Sequence, residues 1–450
     1  MIFYQDKEDF RYGETRNDLT DMEQLIHYKN RINIKPPKKD NENKPKGSFQ
    51  IKCEKLIFFK ESISNLELIY DNMKILRIKG SSLPILIIIE INYPTIKYNI
   101  DKKEVNFEFI NEYLFKAKTE QISQLDLNYR QNKYLRFLYG MQFRKIIKHL
   151  DGEANVLEIL RYILNKIDNI KDIKDGIVGN PKKTDDYVEE YKLIINNSFY
   201  NISNYITSMF EKNGTSLHKH YENLLIKGKN EFKGIYLYNC EKNESEEGYI
   251  LKLFLEKLPL AQNVLIPNNE TSPEEIQAFF YRAILCEYNT LFVIELNNSF
   301  SNFQQNIMYS YINSILTYKN KIYNEITKNK VDKNNTSEYL KSCIVFVYKE
   351  INYKDVFLTE IGKYGAKVIG KIEKNDDDSK ILENIKIFTS DKCGLGKTHK
   401  IIKMIKKNKK QQYFHFPLGG ILTKEVIFKK LSELLIKIKN SLKEDDNYEN

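Results

Sequence analysis

The chain has 450 residues, of which 41% are hydrophobic and 29% charged, so sizeable cores can form and the length suggests about three domains. Its formal net charge of +10 comes from lysines interleaved with acidic residues along the whole length, which describes a solvated surface and does not by itself point to nucleic acid. The 5 cysteines stand far apart, at Cys53, Cys240, Cys286, Cys343 and Cys393, a spacing from which no zinc site or disulfide framework follows and which reads most naturally as a reducing compartment.

The longest apolar run, residues 83–89, is broken by Glu90 and falls far short of the roughly 20 residues of a membrane span. The first residues, MIFYQDKEDFRYGE, lack a basic start followed by an apolar core, so no secretory signal is expected there. A soluble, cytoplasmic chain without a membrane span is the expectation.

Residues 1-48 read as a flexible basic and polar segment. A short helix is predicted over 18–28, followed by the linker KPPKKDNENKPK at 35–46, too poor in apolar side chains to order itself. Residues 49-118 form a mixed α/β region of unassigned fold. Phe49, Ile51 and Cys53 alternate as in a strand, Leu66, Ile69, Met73 and Leu76 recur at helical spacing, and 83–91 reads as a buried strand, although length alone does not separate it from a buried helix.

Residues 119-228 form a helical region. Phe143, Ile146, Ile147 and Leu150 share one face; Val156, Leu160, Ile163, Leu164 and Ile167 make a second; Phe199, Ile202, Ile206 and Phe210 make a third. A polar loop with Gly179-Asn180-Pro181 interrupts them over 172–189. His218 and His220 stand two apart, so on a helix they point to different faces and argue for surface histidines over a metal site.

From Phe232 strands and helices alternate. Strands are expected at 234–238, 263–266, 291–296, 343–348 and 367–372, and helices at 249–258, 272–285 and 303–316. The helix at 272 opens with Ser272-Pro273-Glu274-Glu275, Ser in the cap position and Pro in the first turn. Residues 319–337 read as a polar insertion. Such alternation predicts a parallel sheet with helices on both faces over 229-375. The loop after its first strand, NCEKNESEEG, is acidic and carries no Gly-Lys-Thr, so it would repel phosphate. The strand 291–296 (LFVIEL) ends with the lone acid Glu295, which in isolation is more often structural than catalytic.

A second α/β unit is expected over 380-450. Ile385, Ile387 and Phe388 form a strand-like run, and Ile401, Ile402, Met404 and Ile405 give an apolar face to a helix. Between them lies Asp391-Lys392-Cys393-Gly394-Leu395-Gly396-Lys397-Thr398. This is the layout of a loop whose backbone N–H groups cradle phosphates, with Lys on the β/γ-phosphates and the Thr hydroxyl on Mg²⁺. A helix N-terminus aimed at the phosphates adds about half a positive charge. The pattern departs only at Asp391, where the full motif has Gly. No apolar run ending in Asp-Glu follows Thr398, so only the front half of a P-loop unit is expected here.

An inactive α/β module followed directly by one with a P-loop resembles the tandem AAA+ arrangement of the dynein type, and more narrowly the mysterin-type giant RING-finger E3 ubiquitin ligases. The stretches that carry the resemblance are LPLAQNVLIPNNETSPEEIQAFFYRAI (258–284), TSDKCGLGKTHKIIK (389–403) and RFLYGMQFRKI (136–146). In that family the corresponding loop also lacks its first Gly, so Asp391 joins the likeness. The resemblance implies α/β architecture with an α-rich N-terminal half and tandem P-loop NTPase (AAA+) modules, the second truncated. It implies that Cys393, Gly394, Leu395, Gly396, Lys397 and Thr398 hold ATP, with Thr398 on Mg²⁺, and that other AAA modules and protein partners surround the chain. Hydrolysis and ubiquitin transfer would need parts outside it. The alternative is a non-catalytic interaction scaffold with a structural or vestigial nucleotide site. A nucleic-acid reading of Lys403, Lys406, Lys407, Lys409 and Lys410 lacks interleaved aromatics and fits the solvated face of a helix better.

Overall fold

The computed structural model describes residues 2–5, 10–13, 22–31, 48–81, 87–100, 103–152, 154–164, 170–171, 187–214, 233–240, 249–250, 253–254, 259–268, 271–296, 301–328, 330–349 and 356–368. The linker at 35–46, most of the loop at 172–189, the two histidines at 218 and 220, and the whole of 369–450 lie outside them. The chain divides into two compact units: the first holds residues 1–131, 139–152 and 176–204, the second 132–138, 153–175 and 205–450.

The first unit joins an antiparallel sheet to long helices. Its strands are β1 (Ile2–Gln5), β2 (Phe10–Gly13), β3 (Ile87–Asn92), β4 (Thr95–Ile100) and β5 (Lys103–Val105), in the order β2-β1-β3-β4-β5. Its helices include α1 (Met22–Arg31), α2 (Ser48–Ile78), α3 (Phe107–Gln131) and α4 (Met141–Leu150). The helix expected at 18–28 forms a little later, as α1. Of the buried strand expected at 83–91, residues 87–91 lie on strand β3 and 83–86 fall outside the described residues; Phe143 and Ile146 are buried on α4.

The strand expected from Phe49, Ile51 and Cys53 is not one, because those residues lie on α2. Alternation over three positions fits either period. The face formed by Ile63, Leu66, Ile69, Met73 and Leu76, all buried, repeats at three and four residues and pulls the segment into one helix. That face packs on α3, where Asn72 Nδ2 donates to Asn111 Oδ1 at 3.2 Å and Lys118 Nζ to Asn72 Oδ1 at 2.7 Å. Helix α2 ends in a left-handed cap at Gly80 (φ 79°). The Ser81 N–H reaches Leu76 O at 2.9 Å and the Gly80 N–H reaches Arg77 O at 3.0 Å, so two terminal carbonyls are satisfied.

Helix α5 (Leu157–Leu164) belongs to the second unit, and α6 (Tyr187–Lys212) contributes to both. Phe199, Ile202, Ile206 and Phe210 are buried on α6, as are Val156, Leu160, Ile163 and Leu164 on and beside α5.

The second unit is built on an all-parallel sheet: β6 (Gly234–Asn239), β7 (Val264–Leu265), β8 (Leu291–Leu296), β9 (Cys343–Tyr348) and β10 (Lys367–Val368). The order is β10-β6-β9-β8-β7. Between strands run α7 (Pro273–Ile284), α8 (Asn302–Thr327), α9 (Thr336–Tyr339) and α10 (Val356–Gly362). The expected cap is present: the Ser272 hydroxyl accepts from the Glu275 N–H, with Pro273 in the first turn. Tyr249, Ile250 and Leu253 are helical, and the rest of the helix expected at 249–258 lies outside the described residues.

Strands β6, β8 and β9 are buried along nearly every position, which requires cover on both faces. Phe279 and Phe280 of α7 meet Phe292 and Phe346, and Phe357 of α10 meets Phe346. The opposite face carries Tyr238, whose ring stacks on Tyr249.

The polar insertion expected at 319–337 is mostly helix. Helix α8 continues to Thr327 before Lys328 turns left-handed (φ 56°), and α9 follows at Thr336. Polarity here marks exposure, since the stretch holds no Gly or Pro to stop a helix. The Asn320 and Asn324 side chains each donate to Val331 O at 3.1 Å, folding the following loop back onto the helix.

Candidate functional site

In an open parallel sheet, ligands bind outside the carboxyl ends of the strands, where neighbouring connections leave in opposite directions. Here that place is between β6 and β9. Chain leaving β6 goes to the far edge at β7, while chain leaving β9 crosses to β10. Pairing of β6 with β9 extends one residue further, with the Cys240 N–H donating to Tyr348 O at 2.8 Å.

Register places Tyr238, Val347 and Glu295 in one row across β6, β9 and β8. They therefore share a face, and with strands about 4.8 Å apart the row sets Tyr238 and Glu295 about 10 Å from each other. Glu295 is 4% exposed, the sole acidic group in this row. The next row, on the other face, holds Asn239, Tyr348 and Leu296. Tyr249, where the chain re-enters after the acidic loop, lays its ring on Tyr238 with centroids 3.4 Å apart and planes 4° from parallel. No group of three or more His, Cys, Asp or Glu suited to a metal ion occurs among the described residues.

The phosphate-loop residues Cys393, Gly394, Leu395, Gly396, Lys397 and Thr398 lie outside the described residues, so they are not placed against this edge. Glu295 is described, and it sits inside the sheet layer.

A feature not legible in the sequence ties the stretch at 136 to α7. A 3-10 turn at Leu135–Phe137 presents Arg136, 8% exposed, whose Nη1 donates to Leu285 O at 2.8 Å. Arg282, 7% exposed, donates from Nη1 to Arg136 O at 2.5 Å, and from Nε and Nη2 to Gln262 O at 3.1 and 2.8 Å. Its guanidinium lies over the rings of Phe137 and Phe279 at 5.6 and 5.7 Å. Buried charge is tolerated when its donors are satisfied, and main-chain carbonyls do that here. The signal available was two arginines inside apolar stretches, RFLYGMQF and FFYRAIL, where a lone cation needs a partner.

All four described cysteines are buried, and no disulfide joins any of them among the described residues. No helix among the described residues is long and apolar enough to cross a membrane. The fold and this edge define a mixed α/β protein whose second unit is a five-stranded parallel α/β layer, compatible with nucleoside-triphosphatase folds. No protein-family model matches the chain, and no curated protein matches it.

Proposed function

We propose that the chain binds ATP with Mg²⁺ through residues 391–398, as the phosphate loop of an α/β unit that follows one without such a loop. The observation that carries this reading is Gly394-Leu395-Gly396-Lys397-Thr398, set between an apolar run and an amphipathic helical pattern. Backbone N–H groups of Gly394, Leu395 and Gly396 would wrap the phosphates, Lys397 would neutralise the β/γ charge, and Thr398 would hold Mg²⁺ by its hydroxyl. Support for the tandem arrangement comes from the preceding unit. Taken in chain order its five strands lie 5-1-4-3-2, with an acidic, Lys-Thr-free loop after the first. In the proposed AAA+ setting, of the mysterin type, the first module is a fixed spacer and the second responds to nucleotide. Hydrolysis would need an acid pair, and ubiquitin transfer a zinc-bearing domain, supplied from outside these residues.

The test is ATP·Mg²⁺ titration of the chain beside Lys397→Ala. Affinity is expected to fall by at least about tenfold in the variant, a change of about 1.4 kcal/mol. Equal affinity in both chains would sink the phosphate-loop assignment and leave the second reading, a protein-interaction scaffold built on the helices and the parallel sheet.

A further inference from the structure

The sequence contains one Asn-Gly dipeptide, Asn213-Gly214, just beyond the carboxyl end of α6 and within the second unit. Gly214 takes the left-handed conformation that ends the helix (φ 64°), and its N–H donates to Glu211 O at 3.0 Å. Met209 O accepts twice from Asn213, from the main-chain N–H at 3.2 Å and from Nδ2 at 3.0 Å. Nδ2 also donates to Lys171 O at 3.4 Å, while the Lys171 N–H donates to Asn213 Oδ1 at 3.2 Å. The Asn213 amide therefore pairs with both main-chain groups of residue 171 and clasps that segment to the helix end. Asn213 is 9% exposed although Lys171, Glu211, Lys212 and Gly214 around it are all exposed.

An Asn-Gly pair carries its own chemistry, because glycine has no side chain to shield its nitrogen from the preceding amide. The Gly214 nitrogen attacks Asn213 Cγ and loses its proton to water. The new N–Cγ bond closes a five-membered imide as the Cγ–Nδ2 bond breaks, and Nδ2 leaves as ammonia after taking a proton. A second water opens the ring to aspartate or its β-linked isomer. The fold holds both reacting groups away from this step: attack would break the Gly214 bond to Glu211 O and turn the amide off Lys171 and Met209.

We propose that Asn213 is a latent deamidation site, closed while the 171 segment and α6 are clasped, open when that helix end frays, and self-locking once converted. Helix ends open locally at far lower cost than the whole unit, and the exposed neighbours put this one at the surface. The product cannot restore the clasp. A carboxylate has no hydrogen for Met209 O or Lys171 O, and its charge stands at the negative end of the helix macrodipole. Each opening that leads to reaction is thus made permanent with water as the sole co-reactant. This site is independent of the phosphate loop at 391–398.

Peptide mass spectrometry of the full chain, incubated at mildly alkaline pH beside the same chain unfolded in guanidinium chloride, tests it. Asn213 is expected to deamidate at least about tenfold more slowly in the folded chain. In Lys171→Pro, which lacks the N–H that holds Oδ1, the rate without denaturant should rise about fivefold, the worth of one hydrogen bond. Asn213→Asp installs the product directly and should speed hydrogen exchange at the last turn of α6 relative to the unsubstituted chain. Three results would each overturn the proposal: equal deamidation with and without denaturant, a Lys171→Pro rate no higher than that of the unsubstituted chain, or unchanged exchange at that turn in Asn213→Asp.

Discussion

In the antiparallel sheet of the first unit β3 and β4 bury alternate side chains, whereas in the parallel sheet of the second unit β6, β8 and β9 bury nearly all of theirs. The difference follows from connection. Hairpins such as β3–β4, joined through the two residues Tyr93 and Pro94, leave one sheet face open. Parallel neighbours need crossovers, and the crossovers put helices over the faces. The first sheet therefore tolerates charge on its strands, as at Glu90, Lys97 and Glu104, while the second admits Glu295 as a buried exception.

That contrast can be broken by substitution. Phe346, fully buried between Phe280 and Phe357, should cost about 3–5 kcal/mol when replaced by Ala. Lys97→Ala on the open face of β4 should stay within about 0.5 kcal/mol. Chemical denaturation measures both, and a loss under about 1 kcal/mol for Phe346→Ala would mean that the parallel sheet is not covered on that side.

Alkaline pH acts on the second sheet's surroundings. Burial pushes the Cys286 thiol from 9.0 to about 11 and also raises Cys343. A raised thiol binds its proton more tightly in the folded chain, so its contribution is fully present below pH 9 and is lost as pH rises through about 11. That rise corresponds to at most about 3 kcal/mol. Cys286→Ala should flatten the decline of stability between pH 9 and 11, and an unchanged slope would locate the alkaline loss elsewhere.

In the first unit the sharpest single-atom test is Gly80→Ala. A Cβ there would stand 2.7 Å from Phe143 Cβ and 2.8 Å from Gly140 O, at a φ of 79°. The expected loss is about 1–3 kcal/mol, read as faster hydrogen exchange in α2 and α4 than elsewhere. A smaller loss is expected for Ser272→Ala, which removes the cap of α7 for about 1 kcal/mol. No change in the melting temperature would show that packing of Phe279 and Phe280 alone sets that helix.

Much of the second unit was legible before its structure. Residues 291–296 and 343–348 are short apolar runs of strand length, and Ser272-Pro273 marks a helix start with its own hydrogen-bond logic. Residues 49–53 misled because three alternating positions fit both periods, and the winning face lay further along α2. Residues 319–327 misled because Lys, Asn and Glu on the outside of a long helix have the composition of a loop. Glu295 was visible as a lone acid, but its row with Val347 and Tyr238 depends on register between strands that are distant in sequence.

The sequence by itself determined the alternation of strands and helices after Phe232, the cap at Ser272, and the phosphate-loop pattern at 391–398, because each is written in local spacing. Only the tertiary structure decided the order β10-β6-β9-β8-β7 and the grip of Arg282 on Gln262 and Arg136. Those depend on which buried faces find each other, and burial is a property of the whole packed unit that no short window of residues contains.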